Sequence, residues 1–151
     1  MSEIFERQYT VGWTDVDPNG HLANTSYIGF AVNTRVAFFE ANGFGPREFV
    51  RHQLGPVLKS DLVEYFREVT MLEAVRVTVE NGGHSEDGSR FRVVNNIYKA
   101  DRTHAARIIS IGGWLGLKER RLIEPPEKLK DAWLRLARTD DFEELRSSVK
   151  P

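Results

Sequence analysis

A short segment near the start of the chain concentrates residue types that carry out acid–base chemistry. Residues 13–27 read Trp-Thr-Asp-Val-Asp-Pro-Asn-Gly-His-Leu-Ala-Asn-Thr-Ser-Tyr, with carboxylates at Asp15 and Asp17 and a histidine at His21. Two alternatives explain this density. The Asp-x-Asp-Pro-Asn-Gly run is either a tight turn whose carboxylates accept backbone hydrogen bonds, or an active-site loop. The local sequence alone leaves both open.

A long apolar helix is predicted directly after this loop. Any of three residues that favour helix N-termini would cap it, namely Asn24, Thr25 or Ser26. The helix would run to about Asn42, because Gly43 is a common stop signal. Its apolar side chains cover far more than one stripe, which is typical of a helix that other elements surround.

The remaining apolar patterns predict strands. Residues 7–13 alternate apolar and polar side chains, which indicates a half-buried first strand with Trp13 facing the core. Four antiparallel strands are predicted further on, at 57–67, 72–80, 91–100 and 105–117. Glycines and polar residues predict a hairpin loop at 81–89. The economical packing is an α+β fold in which a five-stranded antiparallel sheet wraps around the one long helix.

The C-terminal residues are predicted to be helical. Residues 125–127, Pro-Pro-Glu, open a helix with one apolar face. Residues 139–141, Thr-Asp-Asp, would cap a last short helix. We expect 121–151 to be a helical extension of the domain formed by 1–120. The edge strands of such a sheet need a pairing strand or a cover. Pairing of two copies across a two-fold axis would supply it, so we predict a homodimer.

Composition excludes several classes of function. The 151 residues carry 21 Lys+Arg against 22 Asp+Glu, so no basic footprint for nucleic acid is present. There is no cysteine, which excludes thiol nucleophiles and thiolate metal sites, and the four histidines lack metal-site spacing. No stretch approaches the roughly 20 apolar residues of a membrane span. Residues 1–7 lack the pattern of a signal peptide, so a cytoplasmic location is expected.

The run Asp-x-Asp-Pro-Asn-Gly-His-x-x-Asn-x-x-Tyr at positions 15–27 resembles the hotdog-fold acyl-CoA thioesterases. The most similar branch is the 4-hydroxybenzoyl-CoA thioesterase type, and the likeness covers about residues 5–120. Two departures stand out. Leu-Ala-Asn follows His21 where many members have Val and two adjacent asparagines after the histidine, and the 4-hydroxybenzoyl-CoA enzymes have no histidine after the glycine.

The resemblance implies roles for individual residues. Asp17 would be the catalytic carboxylate, acting as nucleophile or as general base on water, with His21 and Asn24 assigned to the same catalytic set. The amide at the start of the helix, around Asn24 and Thr25, would polarise the thioester carbonyl. Thr25 and Tyr27 are assigned to substrate binding. Such proteins are dimers or dimers of dimers (homotetramers) with the acyl pocket between subunits, and they need no metal or organic cofactor.

Elementary chemistry is compatible with these roles. A helix N-terminus supplies unpaired amide donors and partial positive charge, and one donor aimed at an oxyanion is worth about 3–4 kcal/mol. Without cysteine or a Gly-x-Ser-x-Gly elbow, a carboxylate mechanism remains for an acyl hydrolase. We therefore expect hydrolysis of acyl-CoA to free acid and CoA. The alternative is a protein that binds acyl-CoA or an acyl carrier protein without turnover.

Overall fold

A curled sheet and one long helix make up most of the protein, and the computed structural model describes residues 3–149. Five antiparallel strands lie in the spatial order β1-β3-β4-β5-β2. Their bounds are β1 Phe5–Thr10, β2 Leu54–Tyr65, β3 Ala74–Ser85, β4 Arg90–Lys99 and β5 His104–Gly116. Two further strands join this sheet, β6 (Arg121–Leu122) beside β5 and β7 (Arg138–Leu145) beside β3. The helices are α1 Asn24–Ala41, α2 Pro46–Arg51 and α3 Glu127–Leu134.

The predicted sheet and central helix are confirmed, with shifts at several boundaries. The first strand ends at Thr10 rather than at residue 13, and Trp13 belongs to a short 3-10 turn with 80% of its surface exposed, so its predicted core position is wrong. The predicted loop at 81–89 is also too long, because β3 continues to Ser85. Asn81 and the following glycines form a bulge within the strand, not its end.

The predicted last helix is wrong, since residues 138–145 form strand β7. β1 pairs with β3 only as far as Val79, which leaves the rest of that edge of β3 free for another strand. β7 occupies the edge in parallel, with Arg138 opposite Asn81 and Glu143 opposite Gly83. Backbone pairing to an open edge outweighs the local capping signal. Gly83 is required there because its φ is +157° and a Cβ would collide with the backbone carbonyl of Glu143.

The core is divided into two clusters along α1. One surrounds the N-terminal half of the helix, where Tyr27, Phe30 and Ala31 pack on the sheet. The other surrounds its C-terminal half and includes buried side chains of α3. Val32 and Val36 lie on the other side of α1 and stay partly exposed. Within residues 3–149, no helix is both long enough and apolar enough to cross a membrane.

A histidine connects α3 to the sheet. The Nδ1 atom of His84 accepts hydrogen bonds from Nε1 of Trp133 at 3.0 Å and from Nδ2 of Asn81 at 3.2 Å. Burial, and then the positive charge of Arg138, lower the pKa of His84 below its usual value. Only the neutral ring accepts both bonds, so protonation at Nδ1 would remove them.

We expect this histidine to make stability depend on pH. Its contribution is complete above the unfolded-state pKa of about 6.5 and is lost as the pH falls through the lower folded-state pKa. His84→Gln should therefore reduce the slope of unfolding free energy against pH in urea titrations at mildly acidic pH. Burial also lowers the pKa of His104, so part of the slope should remain in the variant. His52→Gln, at an exposed site, is the control, and equal slopes in wild type and His84→Gln would refute the assignment.

Candidate active site

The Asp17 loop is a turn held by the carboxylate itself. Oδ1 of Asp17 accepts the backbone N–H of Asn19 at 2.9 Å and that of His21 at 3.2 Å. The turn closes with the Gly20 N–H donating to the Asp17 carbonyl, and Gly20 adopts a φ of +78° that favours glycine. Within residues 3–149, nothing donates to the second oxygen, Oδ2. One oxygen of Asp17 therefore shapes the loop and the other is available.

Asp15 also holds the loop, through both its side chain and its backbone carbonyl. Its Oδ2 accepts the backbone N–H of Gly12 at 2.8 Å. Its carbonyl accepts the N–H of Ala23 and the hydroxyl of Ser26, each at 2.9 Å. These bonds attach the loop to the first turn of α1 and fix the direction from which Asp17 approaches it.

The start of α1 differs from the predicted capping. Ala23 is the N-cap and makes no side-chain capping bond, so the predicted cap by Asn24, Thr25 or Ser26 is wrong. The hydroxyl of Ser26 reaches the Asp15 carbonyl instead of a helix amide. In the part of the chain from 3 to 149, the N–H groups of Asn24 and Thr25 find no acceptor. These unpaired amides carry the positive end of the helix dipole.

A cleft of about 320 Å³ brings most of the predicted site residues together. Asp17, His21, Asn24 and Tyr27 line one wall. Tyr27 is almost fully buried, its ring lies edge-on to Tyr65 with centroids 5.0 Å apart, and burial is the main reason that its pKa is raised. Thr25 is the exception, because its side chain is exposed and does not line the cleft.

The opposite wall is formed by residues that the sequence reading did not assign to the site. Residues 65–69, the last residue of β2 and the four that follow it, line the cleft and include Glu68. Oε2 of Glu68 lies 3.6 Å from Nε2 of His21, and an isolated antiparallel bridge joins His21 to Thr70. The only sequence signal was the charged pair Arg67-Glu68 at the end of the strand predicted at 57–67. The contact between Glu68 and His21 depends on the tertiary structure, because the end of β2 lies beside the Asp17 loop.

A second cavity, of about 400 Å³, opens farther along α1. Apolar and aromatic side chains from α1, α2, β2, β4, β5 and α3 form nearly all of its lining, including Phe39, Phe49, Trp114 and Trp133. Among residues 3–149, Arg35 is the one charged residue that borders it. Asn95 is fully buried and accepts a hydrogen bond from Arg35.

Known structures similar to this chain share its fold. A hypothetical protein of Staphylococcus aureus in complex with CoA superposes with a TM-score of 0.82 at 18% identity, over 92% of this chain and 89% of that one. A putative oleoyl thioesterase of Lactobacillus plantarum gives 0.83 at 18% identity, over 99% of this chain and 55% of that one. A 1,4-dihydroxy-2-naphthoyl-CoA thioesterase of Synechocystis gives 0.78 at 14% identity, over 87% and 96%.

The family assignment rests on the sequence. No curated protein matches the chain significantly, but the sequence model of the thioesterase-like superfamily matches residues 11–133. That span runs from the end of β1, through the Asp17 loop and the central helix, to α3. The predicted hotdog architecture is confirmed by the structural neighbours. This chain belongs to the thioesterase-like superfamily and has the hotdog fold.

Proposed function

We propose that this protein hydrolyses acyl-CoA thioesters to the free acid and CoA. The observation that carries the proposal is the meeting of two groups at one cleft. Asp17 presents a carboxylate oxygen with no partner in residues 3–149, and Asn24, which lines the same cleft, begins α1, whose first two amides are unpaired within those residues. A carboxylate and oriented N–H donors are the minimum that hydrolysis of a thioester requires.

In the proposed reaction, the thioester carbonyl lies at the N-terminus of α1. The amides of Asn24 and Thr25 donate to the oxygen that becomes negative as the tetrahedral intermediate forms. Asp17 takes a proton from water, whose oxygen attacks the carbonyl carbon, and the C–S bond then breaks as the CoA sulfur receives a proton. Direct attack by the carboxylate, followed by hydrolysis of the anhydride, uses the same position.

The other predicted residues support these two groups. His21 donates its backbone N–H to Asp17, and its ring faces Glu68, so its contribution is to orient the loop. Asn24 and Thr25 act through their backbone amides. Tyr27 forms the wall of the cleft against Tyr65. CoA as the carrier is supported by the neighbour in complex with CoA and by the naphthoyl-CoA thioesterase.

One observation favours the rival proposal, in which the protein binds acyl-CoA or an acyl carrier protein without turnover. Oδ1 of Asp17 is fully used in holding the turn, so the residue has a structural reason to be present even without catalysis. A binding protein of this kind would keep the cleft and the apolar cavity. It would make no use of the free oxygen of Asp17.

Thiol release distinguishes the two functions. The purified protein is assayed against a panel of acyl-CoA thioesters with a free-thiol reagent, and the absence of cysteine keeps the protein background low. Release of CoA thiol above the uncatalysed rate supports the hydrolase and ranks its substrates. Binding of acyl-CoA without thiol release across the panel contradicts the hydrolase and supports the rival.

We also propose that the protein is a homodimer, which a dimer of dimers would contain. Strand β2 lies at the end of the sheet and, within residues 3–149, pairs only with β5. It is 12 residues long, and apolar side chains such as Leu58 and Leu62 are exposed along it. A long apolar edge strand of this kind is a pairing surface. Val32 and Val36 of α1 add exposed apolar area that a partner would cover.

A charge on this edge should prevent dimerisation. Leu62 is 56% exposed, and Leu62→Lys places an ammonium group where strand pairing would bury it. We expect light scattering after size exclusion to give the dimer mass for wild type and the monomer mass for the variant. Leu134→Lys, at a leucine of similar exposure on α3, should stay dimeric. A monomeric wild type would refute the proposal.

Two broader proposals concern the whole chain. We treat 121–151 as an extension of the 1–120 hotdog domain, because α3 packs in the core and β7 pairs with β3. The predicted ends of that division, Met1, Ser2, Lys150 and Pro151, lie outside the described residues. We propose a cytoplasmic location, as the sequence led us to expect.

A further inference from the structure

Arg35 is placed unusually for a charged residue. It lies midway along α1, partly buried, at the border of the 400 Å³ apolar cavity. A guanidinium taken out of water costs free energy unless it is paired. The groups that surround it therefore indicate whether its charge is already satisfied.

Two neutral side chains hold the guanidinium. Nε donates to Oδ1 of Asn95 at 2.8 Å, and Nη2 donates to the hydroxyl of Ser110 at 2.6 Å. The hydroxyl of Ser110 donates in turn to Asp61, so the nearest carboxylate reaches Arg35 through another residue. Within residues 3–149, no carboxylate oxygen lies within 4 Å of Arg35, and nothing accepts a hydrogen bond from Nη1.

Burial and a nearby carboxylate act on the charge of Arg35 in opposite directions. Burial lowers the pKa of Arg35 to about 10, and the negative charge of Asp61 offsets this only in part. Asn95 is itself fixed, since Nδ2 donates to the carbonyl of Thr78 at 2.8 Å. The guanidinium is thus held in one orientation, with donor capacity left over beside an apolar cavity.

We propose that Arg35 determines substrate specificity by binding an oxygen substituent, foremost a carboxylate, on an acyl group whose apolar part occupies the cavity. This inference rests on the proposed hydrolysis and names the class of acyl chain that the site prefers. The bound anion would accept from Nη1 and complete the pairing of the guanidinium. Phe39, Phe49 and Trp114 would surround the methylene or aromatic part of the chain.

The position of Arg35 limits the length of such a substrate. Asn95, which holds the guanidinium, also donates from Nδ2 to the Ala31 carbonyl at 3.5 Å. The guanidinium of Arg35 therefore lies near the level of Ala31 along the helix. Ala31 is seven residues beyond Asn24, or about 10 Å along the helix axis. An acyl chain of medium length would span from the unpaired amides to Arg35. Short acyl groups would not reach it.

A matched substrate series tests the inference. We would compare kcat/KM for unsubstituted acyl-CoA thioesters and their ω-carboxyl counterparts of equal chain length, in wild type, Arg35→Met and Arg35→Lys. Loss of a hydrogen-bonded charge pair should lower kcat/KM for the ω-carboxyl series about 10- to 100-fold more than for the unsubstituted series. Arg35→Lys, which keeps the charge, should restore part of the preference. Arg102→Met, in an exposed turn, should leave it unchanged.

A binding measurement separates this inference from the proposed function. Trp114 and Trp133 line the cavity, so their fluorescence reports occupancy by non-hydrolysable thioether analogues and also shows whether each variant is folded. Hydrolysis of both series by wild type without preference at any length would overturn the role of Arg35 and leave the hydrolase intact. Tighter Arg35-dependent binding of the ω-carboxyl analogue without any hydrolysis would support the site and overturn the hydrolase.

Discussion

Asp17→Asn is expected to lower kcat for thioester hydrolysis about 100-fold or more, which is the range for loss of a general base. Asparagine retains an oxygen that can accept from the amides of Asn19 and His21, so the turn should stay folded. The free oxygen is replaced by an NH2 group, which neither accepts a proton from water nor attacks a carbonyl carbon. The measurement is single-turnover thiol release with saturating enzyme, which isolates the chemical step.

Asp15→Asn is the matched control for this experiment. It makes the same chemical change two residues away, at a carboxylate that accepts from Gly12 and does not line the cleft. We expect its kcat to stay within a few-fold of wild type. If Asp17→Asn and Asp15→Asn lose activity equally, with melting temperatures lowered by the same amount, the loop acts only as a scaffold and the catalytic role of Asp17 is refuted.

Much of the fold is predictable because its signals are local. Short segments of sequence already show the alternation of the strands and the apolar surface of the helix at 24–42. β5 illustrates this, since the pattern predicts a strand at 105–117 and His104–Gly116 forms one, with Ile108 and Trp114 buried. The predicted order of strands and helix then limits the packing to few solutions.

The C-terminal segment shows where local signals fail. Thr139-Asp140-Asp141 has the residue types of a helix cap, yet this segment lies in the first half of β7. Its conformation depends on where β1 leaves the edge of β3, and on ion pairs that Asp141 makes with Arg92 and Arg107. Those partners are distant in sequence and have no pattern that links them to residue 141. Pairing of this kind is a property of the tertiary structure.

The residues of the candidate site also fall into two groups, those that the sequence predicted and those that only the structure revealed. Asp17, His21, Asn24 and Tyr27 were predicted from a resemblance carried by one continuous motif, and the structure places them at one cleft. Residues 65–69 and Arg35 were not, since their positions come from the return of β2 and from a helix face. A charged residue in an apolar helix is a signal, but the sequence does not tell a cavity from a solvent-exposed face.

The second large expected effect is on thermal stability. It tests whether the C-terminal extension, residues 121–151, unfolds together with the rest of the domain. Leu129 of α3 is fully buried in the cluster that includes Phe38, Phe91 and Trp114. Leu129→Ala leaves a cavity there, which typically costs about 2–5 kcal/mol of unfolding free energy. At this chain length, each kcal/mol lowers the melting temperature by about 2–4 °C. We expect one cooperative transition, shifted to lower temperature, by calorimetry and by tryptophan fluorescence alike.

Leu134→Ala on the same helix is the control, because Leu134 is 51% exposed and the chemical change is identical. We expect it to alter the unfolding free energy by no more than about 0.5 kcal/mol, as is usual at surface positions. The comparison separates burial from helix propensity, which both substitutions improve alike. A Leu129→Ala protein with an unchanged main transition and a separate early one would mean that α3 unfolds alone. The extension would then lie outside the cooperative folding unit, since the hotdog domain would stay folded after the extension had unfolded.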